Sequence, residues 1–439
     1  MDKYENLKRA RHHIVFLAAL VFGSVFIYFL NGLDMRKQGL GVIQLKNTIA
    51  PDLNITTDRL SKEDMESAKV AWRYFENNYQ EATGLVNSVD KYPSTTLWDT
   101  GNYMMALISV KHLEIIPKSV YDEKMHKVLK TLASLELYKG LLPNKVYHAQ
   151  SLKMTNYENK VSKKGIGWSA IDIGRLLIPL AYLNFNEPEY SAEVRAVVAR
   201  WNLKELTKEG ALYGAVLKKG KEKLLQEGRL GYEQYTSKMF ATFGVDITNA
   251  IRYDKYLEFR EIYDIEIPYD KRDKEHSDAN NYVVMEPYML DGLEFGWDYF
   301  SKEFSYRLYK AQEERYKDTG ILTAVTEDHL DQAPYFIYNS VFVNKKEWVA
   351  ITEDGRVHNE MKQLSTKASF AMHALYDSAY TKELMTEIEK LKSKYGWYTG
   401  IYEKDGKVNK SLTCNTNAIV LESLLYKKVG PIFTMIKSN

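Results

Sequence analysis

Two glutamates, Glu227 and Glu233, enclose an arginine and two glycines in the run Gln226-Glu227-Gly228-Arg229-Leu230-Gly231-Tyr232-Glu233-Gln234-Tyr235. Paired carboxyl groups are what cleavage of a glycosidic bond needs: one protonates the leaving oxygen and the other activates water or attacks carbon. The glycines permit a close backbone approach or a positive φ. Arg229 beside a carboxylate would hold it ionised, bind an anionic sugar, or serve as an ordinary structural partner at a helix entry. Asp99, Asp172, Glu286, Asp291 and Asn415 stand at or near expected helix starts. Capping and the helix macrodipole explain an acid there equally well. Glu327 lies in Thr326-Glu327-Asp328-His329-Leu330-Asp331, a stretch that also reads as a solvated loop. Glu294, in Glu286-Pro287-Tyr288-Met289-Leu290-Asp291-Gly292-Leu293-Glu294, reads as a packing residue. Trp98, Trp168, Tyr232 and Trp397 offer aromatic faces on which sugar rings could stack.

Other chemistries find no support. The sequence holds no GxxxxGK[ST], no GxSxG, no complete GxGxxG and no HExxH. Cys414 is the only cysteine, which excludes a disulfide within the chain and zinc frameworks built on several cysteines. A net charge of +2 without a basic stripe gives no case for nucleic acid. No cofactor and no metal are expected. The 33 tyrosines suit a long cleft for polyhydroxylated ligands, and suit many helical proteins besides.

The elements that must position these residues are mostly helices. The segment from Ser61 opens with a Ser N-cap, places Asp64 at the capping-box position, and carries Met65, Ala68, Val70, Ala71, Trp72 and Phe75 at helical spacing. Further helices are predicted over 99–113, 118–136, 170–184, 190–205, 232–243, 253–264, 285–296, 298–317, 362–379, 381–395 and 415–427, twelve in all. Asp-Gly between short alternating runs predicts tight hairpins in 348–358 and 400–409. Helix starts near Trp98, Trp168, Tyr232, Glu286, Ser365 and Asn415, separated by Gly-containing turns, suggest six helical hairpins. Hairpins of this kind bury their apolar faces only by stacking. Closed into a ring they form an all-α (α/α)6 toroid with small β-hairpin insertions; an open solenoid is the alternative.

Ahead of this domain, Ile14 to Leu33 is an uncharged apolar run long enough to span a bilayer as a helix. Lys3, Lys8, Arg9 and Arg11 precede it, against Arg36, Lys37 and Lys46 after it, which favours an inside N-terminus. The expected organisation is a short cytoplasmic tail (1–13), a transmembrane anchor (14–33), a linker (34–60) and one toroid domain (61–430). In a bacterium that places the domain in the periplasm or on the outer surface, tethered to the inner membrane.

The runs TTLWDTGNYMMAL, LPNKVY, GWSAIDIGRLL, QEGRLGYEQY and MEPYMLDGLEFGW resemble, in order and wording, the bacterial family catalogued as domain of unknown function 3131. More distantly, Ser94–Gly101, Gly140–Asn144, Asp172–Gly174 and Glu227–Leu230 follow the landmark order of the glucoamylase-like domains of β-1,2-glucanases and cyclic-glucan synthases. The chain departs from those enzymes in carrying Trp98-Asp99, and around Glu327. The distant resemblance implies an (α/α)6 fold with Asp172 and Glu227 at the sugar-cleaving site. The expectation is therefore a membrane-anchored glycoside hydrolase acting on a cell-surface or exported polysaccharide. Glu227 would be the general acid and Asp172 the base, with Asp99, Glu233 and Glu327 as further catalytic candidates. Arg229 would orient a carboxylate, and Trp98, Trp168, Tyr232, Glu286 and Trp397 would bind sugar. Two alternatives stand beside it: a non-catalytic polysaccharide-binding or assembly factor next to a synthase or export complex, and a polysaccharide lyase on the same fold.

Overall fold

The computed structural model describes residues 43, 45–52, 57, 60–218, 220–277 and 279–435. The expected anchor at 14–33 lies outside the described residues, and among the described residues no helix is long and apolar enough to cross a membrane. The chain divides into two compact units, Met1–Lys46 and Asn47–Asn439; the second carries every element below.

Its helices are α1 (Lys62–Asn78), α2 (Leu97–His112), α3 (Lys118–Ser134), α4 (Ala170–Asn186), α5 (Ser191–Val198), α6 (Tyr232–Ser237), α7 (Glu286–Phe295), α8 (Tyr299–Thr319), α9 (Thr366–Tyr376), α10 (Ala379–Ile388) and α11 (Cys414–Val429). Six of them close an inner ring in which α2 packs on α4, α4 on α6, α6 on α7, α7 on α9, α9 on α11 and α11 back on α2. The closed circuit excludes the open solenoid. Outside it, α1 packs on α11 and α2, α3 on α2 and α5, α8 on α7, and α10 on α9.

The two layers read differently because they bury differently. The inner α2 is buried at every residue from Asp99 to Val110, so it is apolar or paired all round. The outer α1 buries Ala68, Val70, Ala71, Trp72 and Phe75 and leaves its acidic first turn near solvent. Its start matches expectation: Asp64 donates its N–H to Ser61 Oγ at 3.0 Å, and Ser61 returns its N–H to Asp64 Oδ2 at 3.2 Å. Close packing of α4 on α6 depends on Gly174, where a Cβ would sit 2.7 Å from Thr236 O.

The ring is pinned through its centre by Arg175 of α4. Its guanidinium donates to Asn102 Oδ1 on α2 (2.8 Å), Tyr235 OH on α6 (2.6 Å), Glu422 Oε1 on α11 (2.7 Å) and Glu294 on α7. Five inner helices thus meet at one fully buried cation, and Glu294, read from sequence as a packing residue, is one of its two counter-ions.

One predicted helix is a hairpin. Residues 253–264 place Leu257–Ile262 antiparallel to Ile265–Asp270, so eleven α-helices are found among the described residues. The reason is local: Tyr263 and Asp264 both take positive φ (53° and 58°), the tight turn whose twist suits paired strands. This hairpin, packed beside α8, stands where the outer helix between α6 and α7 was expected. Of the predicted hairpins, Gly400–Tyr402 pairs with Val408–Asn409, and Ile351 bridges Val357 around Gly355. The helices predicted over 190–205 and 232–243 are each shorter, ending in a separate 3-10 turn at Leu203–Leu206 and Phe240–Phe243.

Candidate active site

The exposure pattern of the inner helices locates their open end. In α2, Trp98 is the residue ahead of the buried run that keeps contact with solvent; in α4 these are Ile171 and Asp172, in α6 Tyr232, and in α11 Asn415. All lie in first turns, and those turns touch one another. Trp98 meets Tyr232 edge-on at 5.8 Å, and Asn415 donates its amide N–H to Glu286 Oε1 at 2.8 Å across from α11 to α7. The N-terminal ends of the inner helices therefore form the mouth of the ring, with their free N–H groups and positive dipole ends directed to it.

A small ladder crosses this mouth and delivers the first carboxyl pair. Lys145 donates its backbone N–H to Gly167 O (2.9 Å), Ala215 and Leu217 donate to Trp168 O and Ile166 O, and strand Ala211–Lys218 pairs with Lys221–Gln226. Glu227 follows that strand directly. Its Oε2 accepts the Ala170 N–H at 2.5 Å, at the first residue of α4, and its Oε1 lies 3.8 Å from Lys145 Nζ. Two residues further on, Asp172 donates its N–H to the capping Ser169 hydroxyl at 3.1 Å. Burial pushes the Asp172 carboxyl up to about 7, with the Glu227 and Asp99 charges adding and Lys145 opposing. Two glycines make the approach possible. A Cβ on Gly167, whose φ is +119°, would overlap Ala215 O, and a Cβ on Gly214 would sit 2.6 Å from Glu227 Oε2.

The second group lies deeper. Lys367, in the first turn of α9, is 2 % exposed; it donates to Glu286 Oε2 and lies 3.8 Å from Asp328 Oδ1. Burial lifts Asp328 to about 8, against the attraction of Lys367. Glu327 is also raised, chiefly by burial, and accepts the Thr326 hydroxyl. Asp99 connects the two groups. It is buried, accepts the Thr96 hydroxyl at 2.8 Å, and is raised by burial, with Glu286 adding and Lys367 opposing. Above these, Tyr157 is 63 % exposed, while desolvation of its hydroxyl, then the Asp172, Glu353 and Glu227 charges, holds its pKa well up. Tyr282 and Tyr338 stack at 3.6 Å nearby, and Glu327 and Tyr157 both act on Tyr338.

The structure thus brings together Asp99, Asp172, Glu227, Glu286 and Glu327, with Trp98 and Tyr232 at the mouth. Four other assignments are corrected. Trp168 (1 % exposed) packs on Tyr138 and bonds Tyr213 O, and Trp397 (0 %) packs on Phe370 and bonds Ser67 O, so neither has a face free to stack on sugar. Arg229 donates to Arg272 O, Gln226 Oε1, Gly228 O and Ser277 Oγ, which makes it a loop brace rather than a carboxylate guide. Glu233 is buried and bonded to Arg272 (3.0 Å) and Gln226 (3.2 Å). Asp291 is likewise held by Lys238 within α7 and raised to about 6 by burial. Among the described residues, Asp273, Glu275 and His276 form one group spaced to hold a cation, but they sit on a surface turn where His276 already bonds Asp273.

Sequence reasoning missed Lys145, Lys367, Asp328 and Tyr157. Lys145 follows the Gly-Leu turn with Asn, and Lys367 occupies a predicted helix start, so position was a signal for both.

Residues 66–430 match the family described as "Protein of unknown function (DUF3131)". The chain belongs to this family. No curated protein matches it in sequence. Solved structures resemble this DUF3131 chain at low identity. A candidate glucoamylase from Bacteroides uniformis superposes with a TM-score of 0.64 at 12 % identity, covering 87 % of this chain and 95 % of that one. An endo-β-1,2-glucanase from Chitinophaga pinensis, in complex with sophorotriose and glucose, gives 0.63 at 11 %, covering 87 % and 96 %. An endo-β-1,2-glucanase from Talaromyces funiculosus with sophorose gives 0.57 at 11 %, covering 86 % and 85 %. At such identities the likeness shows the fold alone: the DUF3131 domain shares the helical-toroid fold of these proteins, with a β-hairpin in place of one outer helix. Fold alone does not assign chemistry, which has to be argued from the mouth of the ring.

Proposed function

We propose that this protein is a glycoside hydrolase, anchored in the bacterial inner membrane by residues 14–33 and acting outside the cytoplasm on a cell-surface or exported polysaccharide. The observation that carries the reading is the carboxyl pair at the mouth. Burial raises Asp172 to about 7, so it keeps a proton into the neutral range, and Glu227 beside it accepts a backbone N–H and faces Lys145. An acid kept protonated by burial beside a second carboxyl held by a backbone N–H and a lysine gives the site the two groups that glycoside cleavage needs. This exchanges the expected roles: Asp172 protonates the leaving glycosidic oxygen, and Glu227 is the carboxylate that activates water or attacks carbon. Trp98, Tyr232 and Tyr157 supply aromatic surface for sugar rings, and Asp99 and Glu327 supply acceptors for hydroxyls, whereas Glu286, expected to bind sugar, is fully buried with its two oxygens taken by Lys367 and Asn415. The glucanases among the structural neighbours make β-1,2-glucan the first substrate to try. The anchor rests on the uncharged run Ile14–Leu33 and its flanking charges.

The test incubates full-length protein, Asp172→Asn and Glu227→Gln with a panel of bacterial polysaccharides including β-1,2-glucan, and reads released oligosaccharides by mass spectrometry. Release by the wild type and by neither variant supports the reading. Unsaturated products would replace it with a lyase. Binding without cleavage by any of the three would replace it with a polysaccharide-binding factor.

A further inference from the structure

The inference deepens the glycosidase reading and rests on it for its functional meaning. Lys145 stands in the turn between Leu142–Pro143 and Val146–His148. Its backbone is fixed to Gly167, in the segment that leads into α4. Its side chain is 12 % exposed, and its ammonium approaches Glu227 Oε1 while the Ala170 N–H holds Oε2. Each oxygen of Glu227 therefore faces a positive partner of its own. Asp172 is served differently. Its surroundings are the Glu227 and Asp99 carboxyls, the Ser169 hydroxyl, Lys145 and the Tyr157 hydroxyl, and its ion pair with Lys145 is not formed within 4 Å among the described residues.

Burial, with the Glu227 charge adding, lets Asp172 keep its proton to a higher pH than a lone carboxyl would. A nearby cation then decides which of the two carboxyls keeps it.

We propose that Lys145 is a positioning residue of this pair: its ammonium holds Glu227 as the carboxylate against the first turn of α4 and leaves the proton on Asp172. Lys145 touches neither the leaving oxygen nor the sugar carbon in this scheme. It acts through the two groups that do.

The experiment uses full-length protein labelled with 13C at the Asp and Glu side-chain carboxyls, with the Asp172 and Glu227 signals assigned from Asp172→Asn and Glu227→Gln. Carboxyl shifts are followed against pH for the wild type, Lys145→Met and Lys145→Arg. Lys145→Met is expected to raise the midpoint at which the pair loses its last proton by about one pH unit and to move part of that step from Asp172 to Glu227. Lys145→Arg keeps the charge and is expected to restore both. In the same three proteins, the alkaline limb of kcat/KM for glycan release should move with the midpoint. A Lys145→Met protein whose midpoint and division between the two signals match the wild type overturns the proposal. So does a Lys145→Arg protein that behaves like Lys145→Met, since the effect would then come from packing and not from charge. If the wild type cleaves no glycan, the hydrolase reading fails, while the titration still decides what Lys145 does to the pair.

Discussion

Glu303 accepts the backbone N–H groups of Ile49 and Ala50, one on each carboxylate oxygen, at 2.9 Å. Arg307, one turn further along α8, donates to Glu303 Oε1 at 2.9 Å and to Asn47 O. Both side chains are 1 % exposed. The stretch ahead of the toroid, expected to be a linker, is therefore strapped to an outer helix over 47–50 by a buried ion pair.

Glu303→Gln keeps the shape and loses the charge. Hydrogen bonds to a charged group contribute about 1.5–3 kcal/mol each. A loss of about 2 kcal/mol would speed amide exchange at Ile49 and Ala50 roughly 30-fold, with protection in the inner helices unchanged. Hydrogen exchange resolved by mass spectrometry reads this directly, and unchanged exchange at 47–52 would show that the ion pair does not hold the strap.

Asp172 ties stability to pH. Its native pKa of about 7 lies above the unfolded value, about 3.9. The folded chain thus binds this proton more tightly, and its contribution falls as pH rises from about 4 to 7, leaving a constant penalty above. Asp172→Asn removes the penalty. Partial exposure of the residue limits the gain to about 1–2 kcal/mol at pH 8, with no gain near pH 4. Thermal melts at the two pH values check the sign. The same variant should release no oligosaccharide, so a residue that costs stability would be one that chemistry requires.

These residues also show what was legible in the sequence. Asp172 and Glu227 were, because each sits in a short run that the distant resemblance picks out: Asp172-Ile173-Gly174 at a helix start, and Glu227-Gly228-Arg229-Leu230. Ser61 with Asp64 was legible as a local capping signal. The ion pair of Lys145 with Glu227 was not, since it is made by a ladder joining three segments that share no local pattern. Trp168 and Trp397 misled because an aromatic beside a glycine turn reads the same whether its ring faces the cleft or the core. The hairpin at 257–270 was misread because apolar residues in LEFREIYDIEI satisfy either period, and the positive φ at Tyr263 and Asp264 overruled the helix.

Arg175 carries a sharper stability prediction. Arg175→Met leaves Glu294 and Glu422 facing each other in a closed core, and burial already pushes Glu422 well above the usual carboxylate range. Removing one partner of a buried ion pair costs about 3–5 kcal/mol. Adding Glu294→Gln and Glu422→Gln to Arg175→Met removes the stranded charges and should recover a large part of that loss. Urea unfolding of the single and triple variants measures both; a triple variant no more stable than the single would mean that packing around Arg175, and not its charge, holds the five helices.

Gly214 offers a test of the site that leaves the core untouched. Glycine is needed here because the Glu227 carboxylate fills the space of a side chain, a Cβ falling 2.6 Å from Oε2. Its neighbours in the ladder stay paired whatever residue stands there, with Leu225 opposite on the partner strand. Gly214→Ala should therefore fold with a near-normal melt yet push Glu227 away from the Ala170 N–H and out of register with Asp172. A displacement of about 1 Å at a reacting group can lower turnover roughly 100-fold. The expected signature is a fall in kcat with glycan affinity largely kept, because Trp98 and Tyr232 lie on other elements. A loss of affinity with unchanged kcat would instead make Glu227 a sugar-binding group and return the choice of base to Asp99 or Glu327.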